Sequence, residues 1–171
     1  MKPKIYFLIL CLCYLSIPIV RAQDISFRHL TDNDGLSHYS VTSIYQDERG
    51  LMWFGTTNGI NLYNGRSIKV YKYDRNSSNC ICNSYIRQIT GDRNGTIYFG
   101  TQSGISAYNI KEEKFSTLLT KQSTNIFFYE HLYMAYKNQL FKYDGKKFDL
   151  FYELPNKHNN ISTIHISKDS I

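Results

Sequence analysis

The chain repeats itself. Residues 44–64 laid over residues 89–109, an offset of 45, match at ten of 21 positions without a gap. The identities are Ile44/Ile89, Asp47/Asp92, Gly50/Gly95, Phe54/Phe99, Gly55/Gly100, Thr56/Thr101, Gly59/Gly104, Ile60/Ile105, Tyr63/Tyr108 and Asn64/Asn109, with Trp53/Tyr98 and Met52/Ile97 conservative besides. One unit reads as strands and turns. Residues 41–45 are β-branched and aromatic, Asp47 to Gly50 is a turn, and residues 51–56 are a dense apolar run. Asn58-Gly59 supplies the positive φ of a tight hairpin, residues 60–63 alternate, Asn64-Gly65 is a second two-residue turn, and residues 68–73 close the unit. A period of roughly 40 to 50 residues built of short strands predicts β-propeller blades of four antiparallel strands, since such a unit buries its faces only by stacking on its copies.

On this period residues 36–79 are a first blade and residues 80–120 a second. Residues 121–155 are a degenerate third: at an offset of 80, Leu132, Tyr133, Met134 and Ala135 fall on Met52, Trp53, Phe54 and Gly55, and Tyr143-Asp144-Gly145 falls on Tyr63-Asn64-Gly65. Its first turn contracts to Tyr129-Glu130-His131. Residues 156–171 start a fourth blade, where Ile161-Ser162-Thr163-Ile164 reads like Val41-Thr42-Ser43-Ile44. Residues 23–35 are expected to hold a strand over 25–30 and the turn Asp32-Asn33-Asp34-Gly35, the strand adding to the last blade so that no edge stays exposed. About three blades fall short of the roughly 4 to 8 that close a propeller. The expectation is an open, edge-exposed array, marginally stable alone and cut from a longer protein.

Composition agrees with strands: 15 Tyr and 10 Phe stand against three Met and one Trp. With 42% apolar and 20% charged residues, disorder, collagen and coiled coil are excluded. Lys2, Lys4, the apolar run over residues 5–20 and Val20-Arg21-Ala22 predict a signal peptide over residues 1–22 and hence an exported, periplasmic protein. The run, broken by Pro18, is short for a membrane span. Removing Lys2, Lys4 and Arg21 leaves 17 basic against 14 acidic residues, too even a balance for a nucleic-acid footprint. Cys80 and Cys82 are too close for an unstrained ring and are expected as free thiols.

The string Asp34-Gly35-Leu36-Ser37, then Val41, Ile44, Asp47, Gly50, Trp53-Phe54-Gly55-Thr56, Gly59, Ile60 and Tyr63-Asn64-Gly65 resembles the two-component regulator propeller repeat, over essentially all of residues 24–171 and weakly after Thr120. The resemblance implies the N-terminal periplasmic sensor of a hybrid two-component system. In that family two seven-bladed propellers and a small β-sandwich precede a membrane helix, a histidine kinase, a receiver and a DNA-binding domain. An oligosaccharide from polysaccharide breakdown binds the periplasmic region and shifts kinase activity. No phosphoacceptor region or glycine-rich nucleotide loop is found in the 171 residues.

The repeated residues read as structural: Asp47, Gly50, Trp53, Phe54, Gly55, Thr56, Gly59 and Tyr63, with Asp92, Gly95, Tyr98, Phe99, Gly100, Thr101, Gly104 and Tyr108. Trp53, Tyr98 and Tyr133 recur in one strand and predict blade-to-blade packing rather than sugar platforms. Gly55 and Gly100 predict close approach of a neighbouring backbone. Asp47 and Asp92 predict carboxylates that accept from their own turns' amides. Asp32-Asn33-Asp34-Gly35 lacks the later acidic ligand of a calcium loop, and His29, His38, His131, His158 and His165 show no metal spacing. Ser37-His38 and Ser162-x-x-His165 lack a glycine-flanked nucleophile elbow. No catalytic, cofactor or metal residue is expected. Ligand contacts would come from the Asn-, Ser-, Asp- and His-rich loops over 31–39, 73–85 and 155–160. The rivals to a sensor are a secreted propeller lyase or hydrolase, and a free-standing interaction protein that takes its missing blades from other copies, a homodimer included.

Overall fold

The computed structural model describes residues 27, 29–120, 125–156 and 160–161. The chain is all-β. Among the described residues twelve strands form three four-stranded antiparallel sheets, each ordered as in the sequence. Blade 1 holds β1 (Val41–Gln46), β2 (Met52–Thr56), β3 (Gly59–Tyr63) and β4 (Ile68–Tyr71). Blade 2 holds β5 (Ile86–Gly91), β6 (Thr96–Thr101), β7 (Gly104–Asn109) and β8 (Lys114–Leu119). Blade 3 holds β9 (Asn125–Tyr129), β10 (His131–Tyr136), β11 (Gln139–Tyr143) and β12 (Phe148–Glu153). A single 3-10 turn, Asp32–Asp34, precedes them, with Thr31 N and Oγ1 both donating to Asp34 Oδ2 at 2.9 Å.

Side chains rather than glycine alone set the turns. Two residues, Thr57 and Asn58, join β2 to β3, and Gly59 follows with a φ of +132° that a side chain rarely adopts. The Asn64 turn, expected as a two-residue hairpin, instead takes four residues. Asn64 Oδ1 accepts from Arg66 N at 2.9 Å and Ser67 N at 2.8 Å, which stabilises the longer loop. Asp144 repeats this in blade 3, accepting from Lys146 N and Lys147 N at 2.7 and 2.8 Å. These bonds hold its carboxyl below the usual range. In blade 3 the β9–β10 turn is a single residue, Glu130, at a φ of +56°.

Of the expected N-terminal strand, residues 25, 26 and 28 lie outside the described residues, and Phe27, His29 and Leu30 are not in strands. The proposed start of a fourth blade lies outside them too, except residues 156 and 160–161, where Ile161 N donates to Lys137 O at 2.8 Å.

Two cores hold the array together, one at each seam between blades. Trp53, Ile60, Ile86, Ile89, Phe99, Tyr108 and Phe115 fill the first, with Tyr71 packed against them. Ile105, Ile126, Leu132 and Met134 fill the second, with Tyr98 and Phe128. β1 and β5 each carry a bulge, after Val41 and after Ile86. The bulge leaves one residue, Thr42 or Arg87, outside the alternation and re-aims its side chain.

Candidate functional site

Six of the sixteen repeated residues, Trp53, Gly55, Tyr98, Phe99, Gly100 and Tyr108, lie at the seams. Trp53 is fully buried, 5.7 Å from Phe99 and 5.4 Å from Tyr108 of the next blade. Such tilted ring pairs each contribute about 0.5–1.5 kcal/mol beyond the area they bury. Tyr98, one blade on, stacks on Phe128 of blade 3 at 5.9 Å. Tyr133 instead stacks on Phe127 at 4.9 Å and meets Phe151 edge-on at 5.5 Å, both in its own blade. Tyr108 OH lies 3.4 Å from Tyr71 OH, and burial, with that contact, pushes its pKa far up.

The approach to Gly55 and Gly100 is by side chains, not by backbone as the sequence suggested. A Cβ on Gly55 would stand 2.6 Å from Ile86 Cγ2 and 3.3 Å from Ile89 Cδ1, and one on Gly100 would stand 3.2 Å from Ile126 Cγ1. The innermost strands of blades 2 and 3 thus seat isoleucine on the glycine of the blade before them. Polar bonds run alongside: Thr42 Oγ1 donates to Ile86 O at 2.7 Å, Ile89 N to Ser43 Oγ at 3.0 Å, and Ile126 N to Gln88 Oε1 at 3.2 Å. Val41 and Ile44 hold in blade 1 the positions of Ile86 and Ile89. They are exposed, Ile44 at 60%, with no blade before them among the described residues.

Asp47 organises its turn. Oδ1 accepts from Arg49 N and Leu51 N at 3.0 Å, and Oδ2 accepts from Trp53 Nε1 at 3.0 Å and Arg49 Nη2 at 2.7 Å. Burial pushes its carboxyl up, but the bonds from Trp53, Arg49 and Leu51 outweigh that and its pKa lies below 3.8. Asp92 Oδ1 accepts from Asn94 N at 2.7 Å and Thr96 N at 2.9 Å; Tyr98 replaces the tryptophan and offers no indole donor. Gly50 and Gly95 close these two turns at positive φ. Phe54 and Tyr63 pack on each other at 6.3 Å.

At the opposite end, the loops before β1 and β5 fold against the central hairpins of their own blades. Thr56 Oγ1 donates to Gly59 O at 3.0 Å and Thr101 Oγ1 to Gly104 O at 2.9 Å, pinning the hairpins. Ser37 Oγ meets Thr56 Oγ1 at 2.8 Å, and Asn61 Oδ1 accepts from Ser37 N at 2.7 Å. In blade 2 Cys82 Sγ meets Thr101 Oγ1 at 3.3 Å, and Ser106 Oγ accepts from Cys82 N at 2.9 Å. Ser37/Cys82 and Asn61/Ser106 are also 45 apart. Identity matching passes over them because residue type changes while the hydrogen-bonding role stays. Cys80 and Cys82 are both free thiols.

This end carries His38 and Asn83, from two of the three expected ligand loops; Asn79, from the second of those loops, instead reaches the β7–β8 turn, donating to Glu113 O at 3.3 Å and accepting from Phe115 N at 2.7 Å. His38 Nδ1 accepts from Ser40 N at 3.0 Å and lies 3.0 Å from Thr57 Oγ1, and its ring stacks on Tyr39 at 4.3 Å. Asn58 Nδ2 donates to Ser37 O at 3.3 Å, Asn83 Nδ2 to Ser103 Oγ at 3.0 Å, and Asn83 Oδ1 accepts from Tyr85 N at 2.8 Å. Residues 157–159 of the third loop lie outside the described residues. Among the described residues no group of His, Cys, Asp and Glu could hold a metal ion, and no helix is long and apolar enough to cross a membrane.

Three consecutive four-stranded blades, packed glycine to isoleucine, define a β-propeller segment. Residues 35–58 match the two component regulator propeller family. Over 77 residues it is 35% identical to Histidine kinase P4 of Formosa agariphila, covering 44% of this chain and 6% of that protein. The extracellular domain assigned to a hybrid two component system of B. thetaiotaomicron superposes with a TM-score of 0.65 at 27% identity, covering 74% of this chain and 20% of that one. A second extracellular domain from the same organism, at 18% identity and a TM-score of 0.50, shares the fold over 76% of this chain and 17% of its own. The chain thus spans a small part of the proteins it resembles.

Proposed function

We propose that this chain is part of the exported, ligand-sensing propeller of a hybrid two component regulator, and that it binds and scaffolds rather than catalyses. The observation that carries this reading is the conjunction of the regulator propeller repeat at residues 35–58 with superposition on the extracellular domain of such a system. The ligand is an oligosaccharide released from a polysaccharide, and its binding alters the output of a kinase in the whole protein. Amide, hydroxyl and imidazole groups at the loop end suit sugar hydroxyls, each of which both donates and accepts. The exposed face of β1 suits a further blade of the sensor, which would bury Val41 and Ile44 as Ile86 and Ile89 are buried.

A glycan array probed with the purified chain tests the reading. Saturable binding of oligosaccharides, with the array sugars recovered intact, is the expected result. An absence of binding to any glycan on the array, or cleavage of the glycan that binds, overturns it.

A further inference from the structure

We propose that Tyr39, Tyr85 and Arg87 form one binding site at the seam of blades 1 and 2 for an acidic oligosaccharide. The two tyrosine rings would stack on successive sugar rings, and the Arg87 guanidinium would take a uronate carboxylate. The inference rests on the oligosaccharide reading above and names where and what it binds.

Tyr39 is 80% exposed, yet it is held: one face lies on the His38 ring at 4.3 Å and 27°, and His38 is itself fixed through Nδ1 by Ser40 N and Thr57 Oγ1. Because Ser40 N donates to Nδ1, the neutral ring carries its proton on Nε2, a second donor beside the tyrosine. Immobilising a large aromatic in water gains the fold little by burial. Its use is as a pre-ordered platform, for which the ordering entropy is already lost before a ligand arrives.

In blade 2 Tyr85, one residue beyond the counterpart of Tyr39, is 37% exposed, and Arg87 lies over its ring at 5.7 Å. The loops that carry the two tyrosines sit on equivalent hairpins, through the Ser37–Thr56 and Cys82–Thr101 contacts, so both rings are at the same end of the array. The Thr42–Ile86 bond of 2.7 Å joins the strands that directly follow them.

Arg87 gives the ligand its charge. It is the bulged residue of β5, outside the alternation of that strand. Its Nε is buried without an acceptor, and neither of the ion pairs among the described residues, Arg49–Asp47 and Lys147–Asp149, involves it. A half-buried guanidinium lacking a counter-charge is unfavourable, and its planar fork fits a carboxylate at two points.

The test is an array of oligogalacturonates and oligoglucuronates beside neutral cello- and xylo-oligosaccharides. Calorimetry on the strongest ligand then compares the chain with Tyr39→Ala and Arg87→Gln, whose folding is checked by their thermal midpoints. Acidic oligomers are expected to bind best. Arg87→Gln should weaken them by about tenfold or more, and Tyr39→Ala by about fivefold. Neutral ligands preferred over acidic ones, or acidic ligands bound equally by both variants, overturn this inference and leave the sensor reading standing. No binding to any array sugar overturns both.

Discussion

Gly55→Ala tests the packing rule that joins the blades. The added carbon would lie 2.6 Å from Ile86 Cγ2, 3.1 Å from Ile86 Cβ and 3.3 Å from Ile89 Cδ1. Carbon atoms pack best at about 3.5–4.0 Å, so blade 2 must retreat by roughly 1 Å. Rotation gives no escape, because Cγ2 sits directly on Cβ and Ile86 is fully buried. Overpacking of this kind costs about 1–3 kcal/mol. Exchanging glycine for alanine within a strand returns about 0.5–1 kcal/mol of backbone entropy, which at mid-range leaves a net loss of about 1 kcal/mol. At Gly100 the nearest atom is 3.2 Å away, and Ala135 occupies the equivalent place in blade 3. Gly100→Ala should therefore stay within about 0.5 kcal/mol of the parent, the small clash offsetting the entropy gain. Urea unfolding followed by Trp53 fluorescence reads the result at the seam itself, since the chain has one tryptophan. In an Ile86→Ala background, which lacks the clashing methyl, Gly55→Ala should lose its cost. A Gly55→Ala protein as stable as the parent, or less damaged than Gly100→Ala, refutes the reasoning.

Trp53→Phe removes the indole donor to Asp47 and should cost about 1–3 kcal/mol by circular dichroism. Because the folded pKa of Asp47 lies below 3.8, its stabilisation is complete above that value and is lost as pH falls through the folded pKa. The parent should thus lose more stability on acidification than the variant does. Tyr108 is raised from 10.0 by burial, so its stabilisation is full below that pH and declines as pH rises above it, when only the unfolded chain ionises. Tyr108→Phe should flatten this alkaline decline in a thermal-midpoint series, and an unchanged slope would contradict the burial argument. Ile44→Ser, on the open face of β1, should change stability by about 0.5 kcal/mol or less. Ile89→Ser, the same position one blade on, should cost about 3 kcal/mol. Equal losses in chemical denaturation would mean that the two positions are packed alike.

The fold was legible because blade strands are short, regular and repeated. β1 begins at Val41 as the β-branched run indicated, and β6 and β7 follow from β2 and β3 by the offset of 45. Turn length was less legible. Asn64-Gly65 has the composition of a two-residue hairpin, yet one Asn side chain bonding two amides selects a four-residue loop. The partner of each glycine was hidden too, since identity marks that something comes close at Gly55 but not what. Ile86 and Ile89 answer only once two blades stand side by side. The loop end was the least legible part. Ser37 and Cys82 do the same work with different atoms, and Tyr39 and Tyr85 are 46 apart, out of register with the repeat by one.

The bulge after Val41 and after Ile86 has an evolutionary consequence. A duplicated blade must keep its isoleucine knobs and its glycine socket, or the copies no longer stack. The bulged residue between the knobs is released from that obligation: it is Thr42 in one blade, tied to Ile86 O, and Arg87 in the next, with no partner for its Nε. Duplication therefore hands each new blade one position on the innermost strand that can change chemistry, a seam hydrogen bond in one copy and an unpaired guanidinium Nε in the next. A propeller grown this way can diversify its inner wall one blade at a time.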